Sequence, residues 1–409
     1  MVQKKTSIRD FCSIVSGTSD DSFVGIKVSE NEIVIKFPVG YEISDDDKEL
    51  KKDILKLIKT VNLAKKVNLY QNVESINDVK NNIPLYSYFY LISDYLKYDL
   101  YRINDKKYSS KNGSRINWKR TIQRSQPYIC DDNLIFLNPI YEKSINKENV
   151  ITEIEKYCLN LSIEYFGWYF GINGLHINKS IFDDNNKQFM LNILNKELNS
   201  SFLDRKKSLI NCMISILNET TDDHSNNKFF SYGTNQYHVA WEKMIYDLYN
   251  SEDLKKYYPN GKWHLIDHRE KDASSLRPDS IYFDIESGKY YVIDSKYYRF
   301  CVTEKIENLP DSTSIQKQIT YAQNIEKNNG VDGNKIYNAF ILPYNSYKNN
   351  LGLSKKIEYF GYADFIDKEI KYPYGKISLI LFDTKYLINK WFERNSEDLK
   401  DLMRLIENK

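Results

Sequence analysis

The sequence predicts a mixed α/β protein in two parts: an N-terminal α+β domain, residues 1–225, and a C-terminal α/β domain, residues 226–409, with a central mixed β-sheet flanked by helices. Three observations predict it. A polar run, NETTDDHSNNK at 218–228, punctuates the chain between stretches of different character and reads as a domain junction. Beyond it, apolar runs of strand length and stretches of helical period follow in the order helix, strand, strand, strand, helix, strand. A length of 409 residues accommodates two domains or three, and no fixed-period repeat argues for a solenoid.

The elements are justified in order. DSFVGIKVSENEIVIKFPVGYEI alternates apolar and polar residues about a turn at Ser29-Glu30-Asn31, which predicts two strands. DDDKELKKDILKLIKTVNLAKKV follows as a helix, acidic at its start and lysine-rich later, as the helix dipole favours. Leu50, Ile54, Leu57, Ile58 and Val61 form its apolar stripe. YLISDYLKYDLYRIN reads as a helix, PYICDDNLIFLNP as short strands, and residues 151–170 and 187–217 as helices. After the junction TNQYHVAWEKMIYDLYN is helical, with Trp241, Met244, Ile245 and Leu248 at core spacing. KWHLIDHR reads as a strand, and residues 278–286 and 289–296 as a hairpin across Glu286–Lys289. STSIQKQITYAQNIEK is a helix capped by Ser312 or Thr313, KIYNAFILPY and KISLILFDTKYL are strands, and the chain ends in a helix.

Composition narrows the class. Hydrophobic residues make up 41% and charged residues 28%, which supports a packed core and argues against wholesale disorder. Five scattered cysteines with no CxxC pair support neither a zinc ribbon nor a disulfide framework, and read as free thiols of a reducing cytosol. The N-terminus lacks the apolar core of a signal peptide and no run of ~18 apolar residues occurs, so a soluble cytoplasmic protein without a membrane span is expected. The net charge of +2 is small for a protein gripping nucleic acid over a wide face, so any such contact is expected in local patches or with a partner's help. One patch is YRINDKKYSSKNGSRINWKRTIQR, 101–124, with eight basic residues against one acidic. Arg115, Trp118, Lys119, Arg120 and Arg124 within it are candidates for DNA or partner contact.

The chemistry is expected at the hairpin, RPDSIYFDIESGKYYVIDSKYY, 277–298. Strand residues two apart share a face, so Asp294 and Lys296 project together above Val292, while Ile293 and Ser295 face the other way. Asp279 opens the neighbouring strand and can approach Asp294. Two adjoining carboxylates repel and both stay ionised only around a cation. Oxygen donors of this kind suit Mg²⁺, with Mn²⁺ as substitute. A lysine beside such an ion can orient water and stabilise charge on phosphate oxygens, which points to phosphodiester hydrolysis. Alone, a DxK at a strand end is as readily a solvated edge. His238 and the other four histidines show no paired-ligand spacing and read as packing or surface residues.

Arg277-Pro278-Asp279, a turn, then Asp294-x-Lys296 resembles the PD-(D/E)xK nuclease superfamily. That resemblance implies a further metal-site glutamate on the preceding helix, Glu242, and catalysis by Asp279, Asp294, Lys296 and Glu242. The strings SYGTNQYHVAWEKM, LRPD, VIDSKYY, SIQKQITYA and NAFILPY, with FVGIKVSENEIVIKFPVGY and GSRINWKRTI upstream, resemble more narrowly the LlaJI-type restriction endonuclease family. Ser295 departs from the small residue, such as alanine, expected there. The resemblance implies a Mg²⁺-dependent endonuclease acting on double-stranded DNA in restriction-modification or related defence, with a cognate methyltransferase. It is similar in role to McrC-like nuclease subunits, which work with an AAA+ GTPase. No GxxxxGK[ST] occurs here, so such a motor has to be a separate chain. Lys317, Gln318 and Tyr321, on one side of the next helix, are expected to contact phosphate or position water. Two other readings stand beside this one: a nuclease of the same fold in repair or transposition, and a non-catalytic DNA-binding assembly subunit. Homo-oligomerisation is left open.

Overall fold

A computed structural model describes residues 7–29, 32–71, 85–111, 115–130, 133–172, 175, 177–219, 230–251, 253–364 and 372–407. It divides into two compact units, Met1–Asn81 with Lys228–Lys409, and Asn82–Asn227. The chain begins with β1 (Cys12–Ile14), β2 (Val24–Val28), β3 (Ile33–Phe37) and α1 (Asp47–Gln71) in the first unit. The second unit holds α2 (Leu85–Tyr98), β4 (Ile103–Ser109), β5 (Arg115–Ile116), α3 (Trp118–Arg124), β6 (Tyr128–Cys130), β7 (Asn133–Ile135), β8 (Tyr141–Lys147), α4 (Val150–Phe170), α5 (Lys187–Ser200) and α6 (Asp204–Glu219). Returning to the first unit are β9 (Phe230–Thr234), α7 (Tyr237–Tyr249), β10 (Lys262–His264), β11 (Glu270–Asp272), β12 (Ser280–Asp284) and β13 (Lys289–Ser295). The chain closes with α8 (Phe300–Thr303), α9 (Ser312–Asn329), β14 (Ile336–Tyr344), β15 (Ile357–Asp364), β16 (Lys376–Asp383), α10 (Thr384–Glu393) and α11 (Leu399–Ile406).

This grouping differs from the expected division at residue 225. The cause is β9, a strand the sequence reading did not assign. It pairs antiparallel with β2, from Val24–Thr234 to Val28–Phe230, within a four-stranded sheet ordered β1-β3-β2-β9. The pairing needs glycine on both sides. A Cβ on Gly25 would lie 2.2 Å from the Tyr232 carbonyl oxygen, and one on Gly233 2.2 Å from the Phe23 ring. α1 then packs on α7, burying all five residues of its expected stripe. Residues 1–81 therefore belong with the C-terminal region. The polar junction at 218–228 lies largely outside the described residues, as do Glu30 and Asn31 of the expected turn between β2 and β3.

The site rests on a five-stranded mixed sheet ordered β12-β13-β14-β16-β15. β12 and β13 form the expected hairpin. β13, β14 and β16 run parallel, and β15 returns antiparallel at the far edge. β13 and β14 are apolar almost throughout because both faces are covered. Val292, Phe340 and Leu342 share one core with Ile319, Ala322 and Ile325 of α9. Ile293 points the other way by strand alternation, and Trp241, Met244 and Ile245 of α7 are fully buried.

Smaller expectations are corrected. Asp311 caps α9, accepting from the Ser314 N–H at 2.8 Å, in place of Ser312 or Thr313. The KWHLIDHR segment forms one arm of an exposed two-stranded ribbon, β10–β11, separate from the main sheet. The 187–217 helix is broken at residues 201–203 into α5 and α6. The helix expected over YLISDYLKYDLYRIN ends at Tyr98, and β4 follows from Ile103. In KISLILFDTKYL, Asp383 stops the strand and caps α10, its carboxylate accepting from the Tyr386 N–H at 2.8 Å.

Candidate active site

The last ladder pair of the hairpin is Ser280–Ile293, so one step further Asp279 stands opposite Asp294. The Asp279 Oδ2 accepts the Ser295 N–H at 2.7 Å, which ties it to the end of β13. Asp294 is 5% exposed. Lys296 lies just past the strand, its N–H bonded to the Ile341 carbonyl of β14 at 2.9 Å and its Nζ 2.6 Å from Asp294 Oδ2. The same-face projection expected of Asp294 and Lys296 is thus present, and the parallel neighbour β14 holds the lysine's backbone in place.

Glu242 comes from α7. Trp241, Met244 and Ile245 face the core, which turns Glu242 to the helix flank. Burial, together with the Asp294 charge and against the pull of Lys296, pushes its carboxyl up to about 7. Asp279 is driven well above the usual carboxylate range, by burial first and then by the charges of Asp294 and Glu242. Burial alone would lower Lys296, but the charge of Asp294 and the hydrogen bond to it outweigh that, and the net shift is upward. The four residues therefore feel one another.

Burial and mutual repulsion thus favour the protonated forms of Asp279 and Glu242. At an effective dielectric of 20, a like-charge pair 4 Å apart costs roughly 4 kcal/mol. This donor set is what a hard divalent cation satisfies, because Mg²⁺ binds through one or two carboxylates and keeps several waters. Among the described residues no three His, Cys, Asp or Glu side chains already form a cage for an ion. Lys296 engages Asp294, and the Ser295 N–H engages Asp279.

The remaining candidates divide. Lys317 is exposed on α9. Gln318 is fully buried, its Nε2 donating to the Val292 carbonyl at 2.6 Å. The Tyr321 hydroxyl donates to the Arg277 carbonyl at 3.0 Å. Val292 lies two residues before Asp294, and Arg277 two before Asp279. The donors of Gln318 and Tyr321 are thus committed to the backbone of the two arms that carry the aspartates, where the sequence reading expects them to contact phosphate or position water. The basic stretch lies in the second unit, on β4, β5 and α3. Arg115 lies 3.5 Å and Lys106 2.7 Å from the buried Glu142, and Arg120 stacks 3.6 Å over the Tyr108 ring. Lys119, Arg124 and Trp118 are exposed.

A cleft of about 370 Å³ opens over the site, bordered by Gly17, Ser22, His238, Glu242, Lys296 and Tyr298 among others. The sequence reading missed the turn around Gly17 and Ser22, and it placed His238 among packing or surface residues. The signal for His238 was its position four residues before Glu242, which puts both on one helix face.

The fold is mixed α/β, with Asp279, Asp294 and Lys296 at the end of β13, beside the middle strand of the five-stranded sheet. The model of a family described as LlaJI restriction endonuclease matches residues 23–380, and the chain belongs to that family, whose members are DNA nucleases. No curated protein sequence matches the chain closely enough to count as a relative. Among solved structures, the refined half-complex from a tetradecameric assembly of Thermococcus gammatolerans McrB AAA+ hexamers with bound McrC is similar over 93% of this chain and 83% of that one. The sequence identity is 13% and the TM-score 0.34, too low for the likeness to carry an argument.

Proposed function

We propose that the chain is a Mg²⁺-dependent endodeoxyribonuclease of the PD-(D/E)xK type, type II-like in its chemistry, and the nuclease subunit of a restriction system. The observation that carries this reading is the convergence of Asp279 and Asp294 across the β12–β13 hairpin, with Lys296 Nζ 2.6 Å from Asp294. Asp279, Asp294 and Glu242 would hold the ion, which when bound supplies an activated water and charge neutralisation at phosphate. Lys296 would orient the attacking water and face the developing negative charge. The Ser295 N–H fixes the direction of the Asp279 carboxylate. Gln318 and Tyr321 hold the strand ends that carry both aspartates. Lys119, Arg124, Trp118 and Arg120 of the second unit are proposed contacts for DNA or for a partner. An AAA+ GTPase motor on a separate chain is proposed as that partner, in keeping with the sequence resemblance and with the absence of a Walker A motif from the sequence.

Calorimetric titration with Mn²⁺ and plasmid incubation with Mg²⁺ or with a chelator test the reading together. Wild-type protein is expected to bind the ion and nick or cut DNA only with metal present. Asp294→Asn is expected to lose both. Metal binding that survives unchanged in both Asp279→Asn and Asp294→Asn would overturn the assignment.

A further inference from the structure

The cleft has a rim that the metal and lysine chemistry leaves unused. His238 stands one turn before Glu242 on α7, so both border the cleft from one helix face. The turn between β1 and β2 also lines the cleft, through Gly17 and Ser22. That wall is built rather than loose. Gly17 sits at φ +73°, where a Cβ would come within 3.1 Å of Val39. Asp21 accepts the Ser16 N–H at 2.8 Å and pairs with Lys36 at 2.6 Å, and Thr18 bridges to Asp21. Asn235 adjoins His238 on the same rim. His238 is exposed and makes no hydrogen bond or ion pair among the described residues, and partial desolvation lowers its pKa.

Glu242 and Lys296 line the cleft together with a hydroxyl, a carboxamide and an imidazole, those of Ser22, Asn235 and His238. Uncharged donors of this kind fix a phosphate by direction, not by neutralising it. Four residues of helix separate His238 from Glu242 by ~6 Å. The phosphates of one DNA strand recur every ~3.4 Å of helix axis, so a phosphate one or two nucleotides from the scissile one falls within such a reach.

We propose that His238, with Ser22 and Asn235, is a substrate-binding residue that hydrogen-bonds the DNA phosphate flanking the scissile one. The proposal rests on the nuclease reading given above. It names a contact from the nuclease unit itself, apart from the basic stretch of the second unit.

The test measures DNA affinity of the full-length chain with Ca²⁺ in place of Mg²⁺, over a series of salt concentrations, for wild type, His238→Ala and His238→Gln. Loss of one hydrogen bond to a charged group should weaken His238→Ala binding roughly tenfold or more. The slope of affinity against salt should stay as in wild type, because that slope counts cationic contacts. Gln keeps an uncharged N–H donor and should restore most of the affinity. Ser22→Ala, on a different element, should weaken binding in the same sense. Thermal melting of each variant separates lost contact from lost fold. Unchanged affinity in His238→Ala, a salt slope reduced by about one charge, or no recovery with Gln overturns the proposal. The parent reading is scored separately with Mg²⁺: absence of cleavage by wild type sinks the nuclease reading, and undiminished cleavage by Asp294→Asn sinks the site assignment, whatever His238→Ala does.

Discussion

Glu242 is the residue on which the electrostatics of the site turn. Its carboxyl is raised to about 7 by burial, so between its ordinary value near 4.5 and 7 the folded protein binds a proton that the unfolded chain releases. By linkage its contribution to metal-free stability is fully present below about 4.5 and is lost as pH rises through 7. Urea unfolding across this range should show that decline in wild type and a flatter profile in Glu242→Gln. Metal binding draws on the ionised form, so Mn²⁺ affinity should rise with pH up to about 7 and then level off, read by calorimetry in buffers of different ionisation enthalpy. At Ser295 the side chain and the backbone part company. Its N–H holds Asp279, while its buried hydroxyl has no hydrogen-bond partner among the described residues. Removing an unsatisfied buried hydroxyl relieves a desolvation cost, so Ser295→Ala should melt no lower than wild type.

At the scale of elements, α9 is the fastener of the site. Gln318 and Tyr321 reach the backbone two residues ahead of Asp294 and Asp279 respectively. Tyr321→Phe deletes only the hydroxyl and leaves a carbonyl without that donor, at a cost of about 1–3 kcal/mol. It should weaken metal binding more than it lowers the melting temperature, which titration beside calorimetric melting would check. These roles were not legible in the sequence, because polar residues next to a site read equally as ligand contacts and as braces until their partners are known. The β12–β13 hairpin, the α1 stripe and the buried strands β14 and β16 were legible, since alternation and helical spacing are local signals. β9 and β15 were not. PheSerTyrGlyThr is short and half polar, and its strand character comes from pairing with β2, more than 200 residues upstream. β15 carries a bulge between Tyr359 and Gly361, and its residues, IEYFGYAD, do not alternate apolar and polar along the run.

At the scale of the molecule, the chain leaves its first unit after residue 81 and re-enters it at 228. A fragment beginning near residue 226 therefore lacks β2, the partner of β9, and α1, the cover of α7. Leu50, Ile54, Leu57 and Val61 are all buried, and at ~1.5–3 kcal/mol per apolar side chain their loss rivals the ~5–15 kcal/mol that holds a domain together. That fragment should be unfolded by circular dichroism. A chain joining residues 1–81 to 228–409 through a flexible linker should fold and bind Mn²⁺. The account's central claim is that Lys296 acts on the reaction and the aspartates on the metal. The most direct measurement is a single-turnover cleavage time course of plasmid DNA in Mg²⁺ for wild type and Lys296→Ala, with DNA affinity measured on the same samples at one salt concentration. Losing one preorganised electrostatic donor should slow cutting on the order of 10²–10³-fold while affinity stays within a few-fold. Cleavage by Lys296→Ala at the wild-type rate would contradict the account and leave the hairpin an ordinary one with a charged rim.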